Sequence, residues 1–157
     1  MRVYQTKVGK LAGTNFHEVR KQAFQIYLAI KKRSKRKPYV RSGYFRKNKV
    51  FLDLFWTHLF EKKNFIDLMR RIKFYPCALE LLQKSKFEPS SKENPNKAGE
   101  ILHRFIGVTH DGDSFFVQVK EDKKSSRKLL LSVFSEKKKK NLPLAVVYKP
   151  RAEGLFI

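Results

Sequence analysis

His103, Arg104, Gln118, Lys120 and Ser132 fall within one stretch, residues 101–134, that is otherwise rich in Phe, Val and Ile. Their types suit work on a phosphodiester. Histidine gains and loses a proton near neutral pH. A lysine can meet a phosphate. Phe105 and Phe116 in the same stretch offer faces on which unpaired bases can stack. His17 is a second, weaker candidate for proton transfer.

What must position these residues is a hairpin. Asp111-Gly112 separates two apolar runs and matches a two-residue type I′ turn. That turn pairs His110 with Asp113, Val108 with Phe115, Phe105 with Gln118 and His103 with Lys120. Strand side chains alternate, so one face is expected to collect Ile106, Val108, Phe115, Val117 and Val119 as core. The other collects His103, Phe105, Phe116, Gln118 and Lys120. A loop over residues 123–127 returns the chain into 128–134, where Leu129, Leu131 and Val133 join the core face and Ser132 and Phe134 the mixed one. Arg104 falls on the core side and is expected to reach an edge or a phosphate.

The first half of the chain reads as helices. Asn15 followed by Glu18 resembles a capping box, and apolar residues recur at helical spacing from Phe16 to Ile30. That helix runs into the basic cluster 31–37 and stops before Pro38. Residues 38–47 read as a short extended or looped piece. Helical rhythm returns over 50–60, 65–72 and 76–82, with Pro76 suited to a first turn. Residues 88–99 carry prolines and turn formers and read as a loop, and 144–148 as a candidate last strand. The expectation is one α+β domain over 1–157, with a helical half (about 1–87) packed on an antiparallel strand meander (100–157).

Composition selects the partner. Lys and Arg number 36 against 14 Asp and Glu, a formal charge of +22 with a pI near 10.3. Such a charge favours nucleic acid, with affinity that falls steeply as salt rises. A membrane surface ranks lower, because no basic amphipathic helix with apolar anchors is evident. Cys77 is the only cysteine, which excludes an internal disulfide or multi-cysteine zinc site and fits a reducing compartment. Residues 1–11 lack the apolar core of a signal peptide, and no apolar run is long enough to span a bilayer, so a cytoplasmic location is expected.

Further contacts to nucleic acid are expected from Lys92, Asn96 and Lys97 in the loop, and from Arg36, Arg41, Tyr44, Arg46 and Lys47. Turn chemistry alone would also select the loop residues, and basic clusters are often solvated helix ends. His58 reads as a packing residue. His110, with Asp111 and Asp113, is accounted for by the turn, so no metal and no cofactor are assigned.

The order of elements, with GEILHRFIGVT opening the meander and KLLLSVF closing it, resembles the barnase, EndoU, colicin-nuclease and RelE-type ribonuclease superfold, in its phage-associated or toxin branches. The resemblance implies metal-independent RNA cleavage on the exposed face of the sheet, with catalytic positions falling on His103, Arg104, Lys120 and Ser132. The chain departs from the barnase pattern in showing no obvious strand glutamate followed by a late histidine, which leaves the general base unassigned. An acidic inhibitor protein is the partner such an enzyme would need. The rival reading is a non-catalytic RNA-binding protein associated with ribosomes or tRNA. Convergence of His103, Lys120 and Ser132 would favour the enzyme, and their separation the binder.

Overall fold

A computed structural model describes residues 2–59, 61 and 64–135. The expected strand at 144–148 lies outside the described residues. In chain order the elements are β1 (Tyr4–Gln5), α1 (Phe16–Arg33), β2 (Tyr39–Arg41), β3 (Lys49–Phe51), α2 (Asp53–Leu59), α3 (Phe65–Lys73), α4 (Tyr75–Lys84), β4 (Ser90–Glu93), β5 (Glu100–Val108), β6 (Ser114–Asp122) and β7 (Lys128–Ser135). The class is mixed α+β. Among the described residues no helix is long and apolar enough to cross a membrane.

Helix boundaries follow local chemistry. Asn15 caps α1 by accepting the His17 N–H at 2.9 Å, and Lys31, Lys32 and Arg33 place positive charge at the helix's negative end. Asn64 caps α3 in the same way. Pro76 sits in the first turn of α4, where its missing N–H costs no helical bond. The helix expected over 50–60 is shorter than its apolar rhythm suggests. Residues 49–51 form β3 instead, because Val50 and Phe51 pair with Lys128 and Leu129 of β7. A distant strand overrides the local pattern there.

The seven-stranded sheet has the order β1-β5-β6-β7-β3-β2, with β4 also on β5. The antiparallel meander β5-β6-β7 is present as expected. The rest of the sheet is not a meander, since β1 joins β5 and β3 joins β7 in parallel. Short strands are thus interleaved with the helices, and the division into a helical half and a sheet half is only partial.

The hairpin register also differs, by one residue. Val108 pairs with Ser114, Phe105 with Val117 and His103 with Val119. The turn has three residues rather than two: the Thr109 N–H bonds the Asp113 carbonyl at 2.9 Å, and Gly112 takes the left-handed conformation at φ 95°. Thr109 Oγ1 further accepts the Asp113 N–H at 3.0 Å. A one-residue slip exchanges the faces on which two strands meet. Phe115, Val117 and Val119 face the core as expected, but they meet His103, Phe105 and Gly107 there, not Ile106 and Val108. The expected inward Leu129 pairs with Lys120 on the opposite face, and Leu131 is left unpaired at a β-bulge.

Helix α4 crosses the inner face. Phe74, just before it, stacks on Phe115 at 5.2 Å, and Leu81 presses on Gly107. Phe55, Trp56, Tyr75 and Tyr27 extend this core as an aromatic cluster. Cys77 is fully buried, and burial pushes its thiol up to about 11.

One carboxylate ties the N-terminal segment to α4. Glu80 accepts the Lys7 and Val8 N–H groups at 3.0 and 2.9 Å and the Tyr4 hydroxyl at 2.7 Å. Burial alone would raise its pKa, but these donors outweigh burial and hold it below the ordinary glutamate value. A carboxylate depressed in the folded state stabilises above its unfolded pKa, and that contribution is lost as pH falls through the folded value. Glu80→Gln is expected to cost about 2 kcal/mol at pH 7. Urea titrations of the two proteins at pH 7 and pH 3 should show the gap closing at the lower pH.

Candidate active site around His103 and Glu121

The corrected register gathers a different set of polar groups from the one the sequence suggested. Ser91 on β4 lies opposite His103 on β5. His103 in turn lies opposite Val119, one diagonal from Glu121, and Glu121 lies opposite Lys128 on β7. The bulge between these strands is what brings Lys128 to the inner face, since an unbroken register would pair Glu121 with Leu129.

Their side chains form a chain. His103 Nδ1 is 2.6 Å from Ser91 Oγ, and Nε2 is 2.7 Å from Glu121 Oε1. Glu121 Oε2 is 3.7 Å from Lys128 Nζ, which donates to Asn48 Oδ1 at 3.4 Å and to the Ser126 carbonyl at 2.9 Å. Phe45 closes one side, edge-on to the His103 ring at 5.0 Å and beneath Lys128 Nζ at the same distance. The side chains of His103, Glu121 and Lys128 are only 9%, 17% and 7% exposed. Charges withdrawn from water to this degree persist only when paired and hydrogen-bonded, as these are.

The loop 42–48 borders this cluster at Lys128. The Gly43 N–H bonds the Leu82 carbonyl at 2.8 Å, anchoring the loop on α4. Arg46 and Lys47 both adopt positive φ, at 52° and 67°, with the Lys47 N–H on the Ser42 carbonyl. Left-handed backbone at two successive bulky residues is unfavourable and needs such surroundings to hold it. Tyr44, Phe45, Arg46, Asn48 and Lys128 line an open pocket of about 420 Å³. Burial, with the charge of Glu88, raises the Tyr44 phenol, so it stays a neutral donor at physiological pH. A proton acceptor, an imidazole and two cations thus meet beside one pocket.

Of the expected catalytic set, only His103 is here. Lys120 lies on the opposite face and is bound 3.2 Å from Glu100, which also takes Lys97 at 3.3 Å and Asn94 at 3.1 Å. Burial opposes the charge of Glu100, but these donors prevail and hold its pKa down. Arg104 and Gln118 pair on that same opposite face, with the guanidinium 5.6 Å from Phe116 and 5.0 Å from Phe134. Ser132 lines a small cleft with Phe55, His58 and Leu59. The expected convergence of His103 with Lys120 and Ser132 is therefore not formed, because the register sets them back to back.

The expected stacking platforms are also covered. Phe105 is 3% exposed within the main core, and Phe116 is 4% exposed against Ile106, Val3 and Phe134. Asn96 is held in the turn by Asn94, while Lys92 is exposed on β4. Arg36 lies beyond the end of α1, Arg41 is exposed on β2, and Lys47 follows Arg46 in the strained loop. His17 is exposed at the start of α1 and meets Phe16.

Ser91, Asn48, Glu121 and Lys128 were missed. The signal was a hairpin counted with a three-residue loop, which places the glutamate of the 118–122 run QVKED beside His103. The chain matches no family model, no curated protein and no solved structure.

Proposed function

We propose that this protein is a metal-independent endoribonuclease whose proton-transfer centre is the Glu121–His103 pair. The observation that carries the reading is the hydrogen-bonded chain Ser91–His103–Glu121–Lys128, running from an exposed serine to a buried lysine, beside a pocket lined by Arg46, Tyr44 and Asn48. It sets a strand glutamate next to a histidine, but with the histidine first in the chain, so the departure from the barnase pattern remains. Glu121 takes the proton of a ribose 2′-hydroxyl as that oxygen bonds to phosphorus. The bond from phosphorus to the 5′-oxygen breaks, and His103, acting across the Ser91 hydroxyl, protonates the leaving oxygen. Lys128 and Arg46 stabilise the charge on the crowded phosphorane. The products are a 2′,3′-cyclic phosphate and a 5′-hydroxyl end.

The second reading, a non-catalytic RNA-binding protein, is favoured by two observations. Both ring nitrogens of His103 are already engaged by protein groups, and the set of His103, Lys120 and Ser132 is split. The two readings part in one assay, in which a mixed RNA pool and tRNA are incubated in EDTA with wild type and with His103→Ala purified in parallel. Cyclic-phosphate ends from the wild type alone are expected. Salt-sensitive binding by both without cleavage by either would leave the binding protein. In either case a charge of +22 suits capture by an acidic protein, which for an enzyme would act as its inhibitor.

A further inference from the structure

The β2–β3 hairpin buries Val40 and Val50 and turns Tyr39, Arg41, Lys49 and Phe51 to its outer side. Each ring there carries cations. Lys49 Nζ lies 4.7 Å and the Arg41 guanidinium 5.3 Å from the Tyr39 centroid, and the Arg127 guanidinium lies 4.7 Å from that of Phe51. The rings meet edge to face at 6.1 Å. Arg33, Lys35, Arg36 and Lys37, from the end of α1 and the segment after it, add the other wall of an open groove of about 830 Å³. No carboxylate is among the described residues that line it.

Cations crowded along one groove without an acid repel one another, and a polyanion relieves that repulsion. The mixture of rings with lysine and arginine suits a nucleic-acid strand, whose phosphates track the cations while sugars and bases lie on the aromatic faces. Exposed apolar anchors of the kind a membrane surface requires are not among the lining residues. The hairpin also leads to the pocket. Arg41 Nη1 donates to the Lys47 carbonyl at 3.1 Å, next to Arg46, after a strand of three residues, a span of about 10 Å.

We propose that this groove is an exosite for the backbone of single-stranded RNA flanking the bond that is cut, so that the preferred substrate is an extended strand rather than a dinucleotide. That the bound strand is also cut rests on the ribonuclease reading; that it binds does not.

The test compares Lys37→Ala/Lys49→Ala/Arg127→Ala with a control of equal charge loss on exposed residues elsewhere, Lys7→Ala/Lys21→Ala/Lys124→Ala. Binding of a fluorescent RNA long enough to span groove and pocket is followed by anisotropy across a salt series, with His103→Ala added to both variants and to the reference. His103→Asn serves if the alanine protein does not fold. The groove variant is expected to bind on the order of tenfold more weakly, with a salt slope reduced by about two, at 0.7 per phosphate contact on a single strand. The control should change far less. In cleavage assays with His103 intact, the wild type is expected to favour the long strand over a dinucleotide through KM, and the groove variant to lose that preference.

Equal losses in groove variant and control would overturn the exosite, leaving only net charge. Capture by phosphatidylserine vesicles that depends on the same three residues, without RNA binding that does, would overturn it in favour of a membrane. If no protein cuts RNA but the groove-specific loss of binding is found, the ribonuclease reading falls and the RNA groove stands.

Discussion

Glu121→Gln is expected to lower RNA cleavage by about 10²- to 10⁴-fold, the range for removal of a general base, with affinity for RNA little changed. Glutamine preserves shape and can still accept the bond from His103 Nε2, so the change tests proton transfer rather than packing. An ionised Glu121 only accepts, so Nε2 must be the donor at 2.7 Å; to act as the acid, His103 must also carry a proton on Nδ1, which it donates to Ser91 Oγ as the serine hydroxyl gives its own proton to the leaving oxygen. Removal of the carboxylate charge also leaves Lys128 without its anionic neighbour at 3.7 Å. Single-turnover cleavage with excess protein, alongside anisotropy, separates chemistry from binding. Lys120→Ala and Ser132→Ala are the informative contrasts, because both lie on the opposite face and should cut at near wild-type rates. Loss of cleavage in those two with retention in Glu121→Gln would return the chemistry to the other side of the sheet.

Gly107 is a position where the fold leaves no room for a side chain. A Cβ there would stand 2.4 and 2.7 Å from Phe115 Cζ and Cε1 and 2.8 Å from Leu81 Cδ1. Phe115 cannot swing aside, being fully buried and stacked on Phe74. Gly107→Ala is therefore expected to cost about 3 kcal/mol, the upper end for overpacking, and Phe115→Ala about 3–5 kcal/mol as a cavity. The double variant should be clearly more stable than the sum of the two losses predicts, since removing the ring makes room for the methyl. Chemical denaturation of the four proteins measures the coupling. Strict additivity would mean that strand β5 shifts to accommodate the methyl.

Elements decided by local chemistry are legible in the sequence, and those decided by a distant strand are not. Asn15, Pro76 and the apolar rhythm of α1, α3 and α4 carry their structure within a few residues, and the meander is announced by its alternating runs. Val50 and Phe51 looked helical because they keep a helical rhythm with Leu54 and Phe55, and only the parallel pairing with Lys128 and Leu129 makes them a strand. Asp111-Gly112 correctly marked a turn, but the same dipeptide serves two-residue and three-residue loops. The choice here involves the Thr109 side chain. That single residue of slip moved Glu121 next to His103 and Lys120 away from it. The bulge at Leu131 then brought in Lys128, and nothing local in the sequence signals it. Of the residues in this cluster, His103 alone was singled out from the sequence; its neighbours were set by register.

The dispersion of the cluster along the chain has a consequence for synthesis. Its members come from residues 48, 91, 103, 121 and 128, in strands that close only when β7 joins both β6 and β3. Sheets built from such remote pairings assemble late, because the chain must be closed into long loops before any contact repays it. During translation Lys128 is the last of these residues to leave the ribosome. A nascent chain would carry the basic hairpin well before it carried a complete proton-transfer centre. If the protein does cut RNA, the ribosome and the message that encode it are shielded by chain order until β7 has emerged.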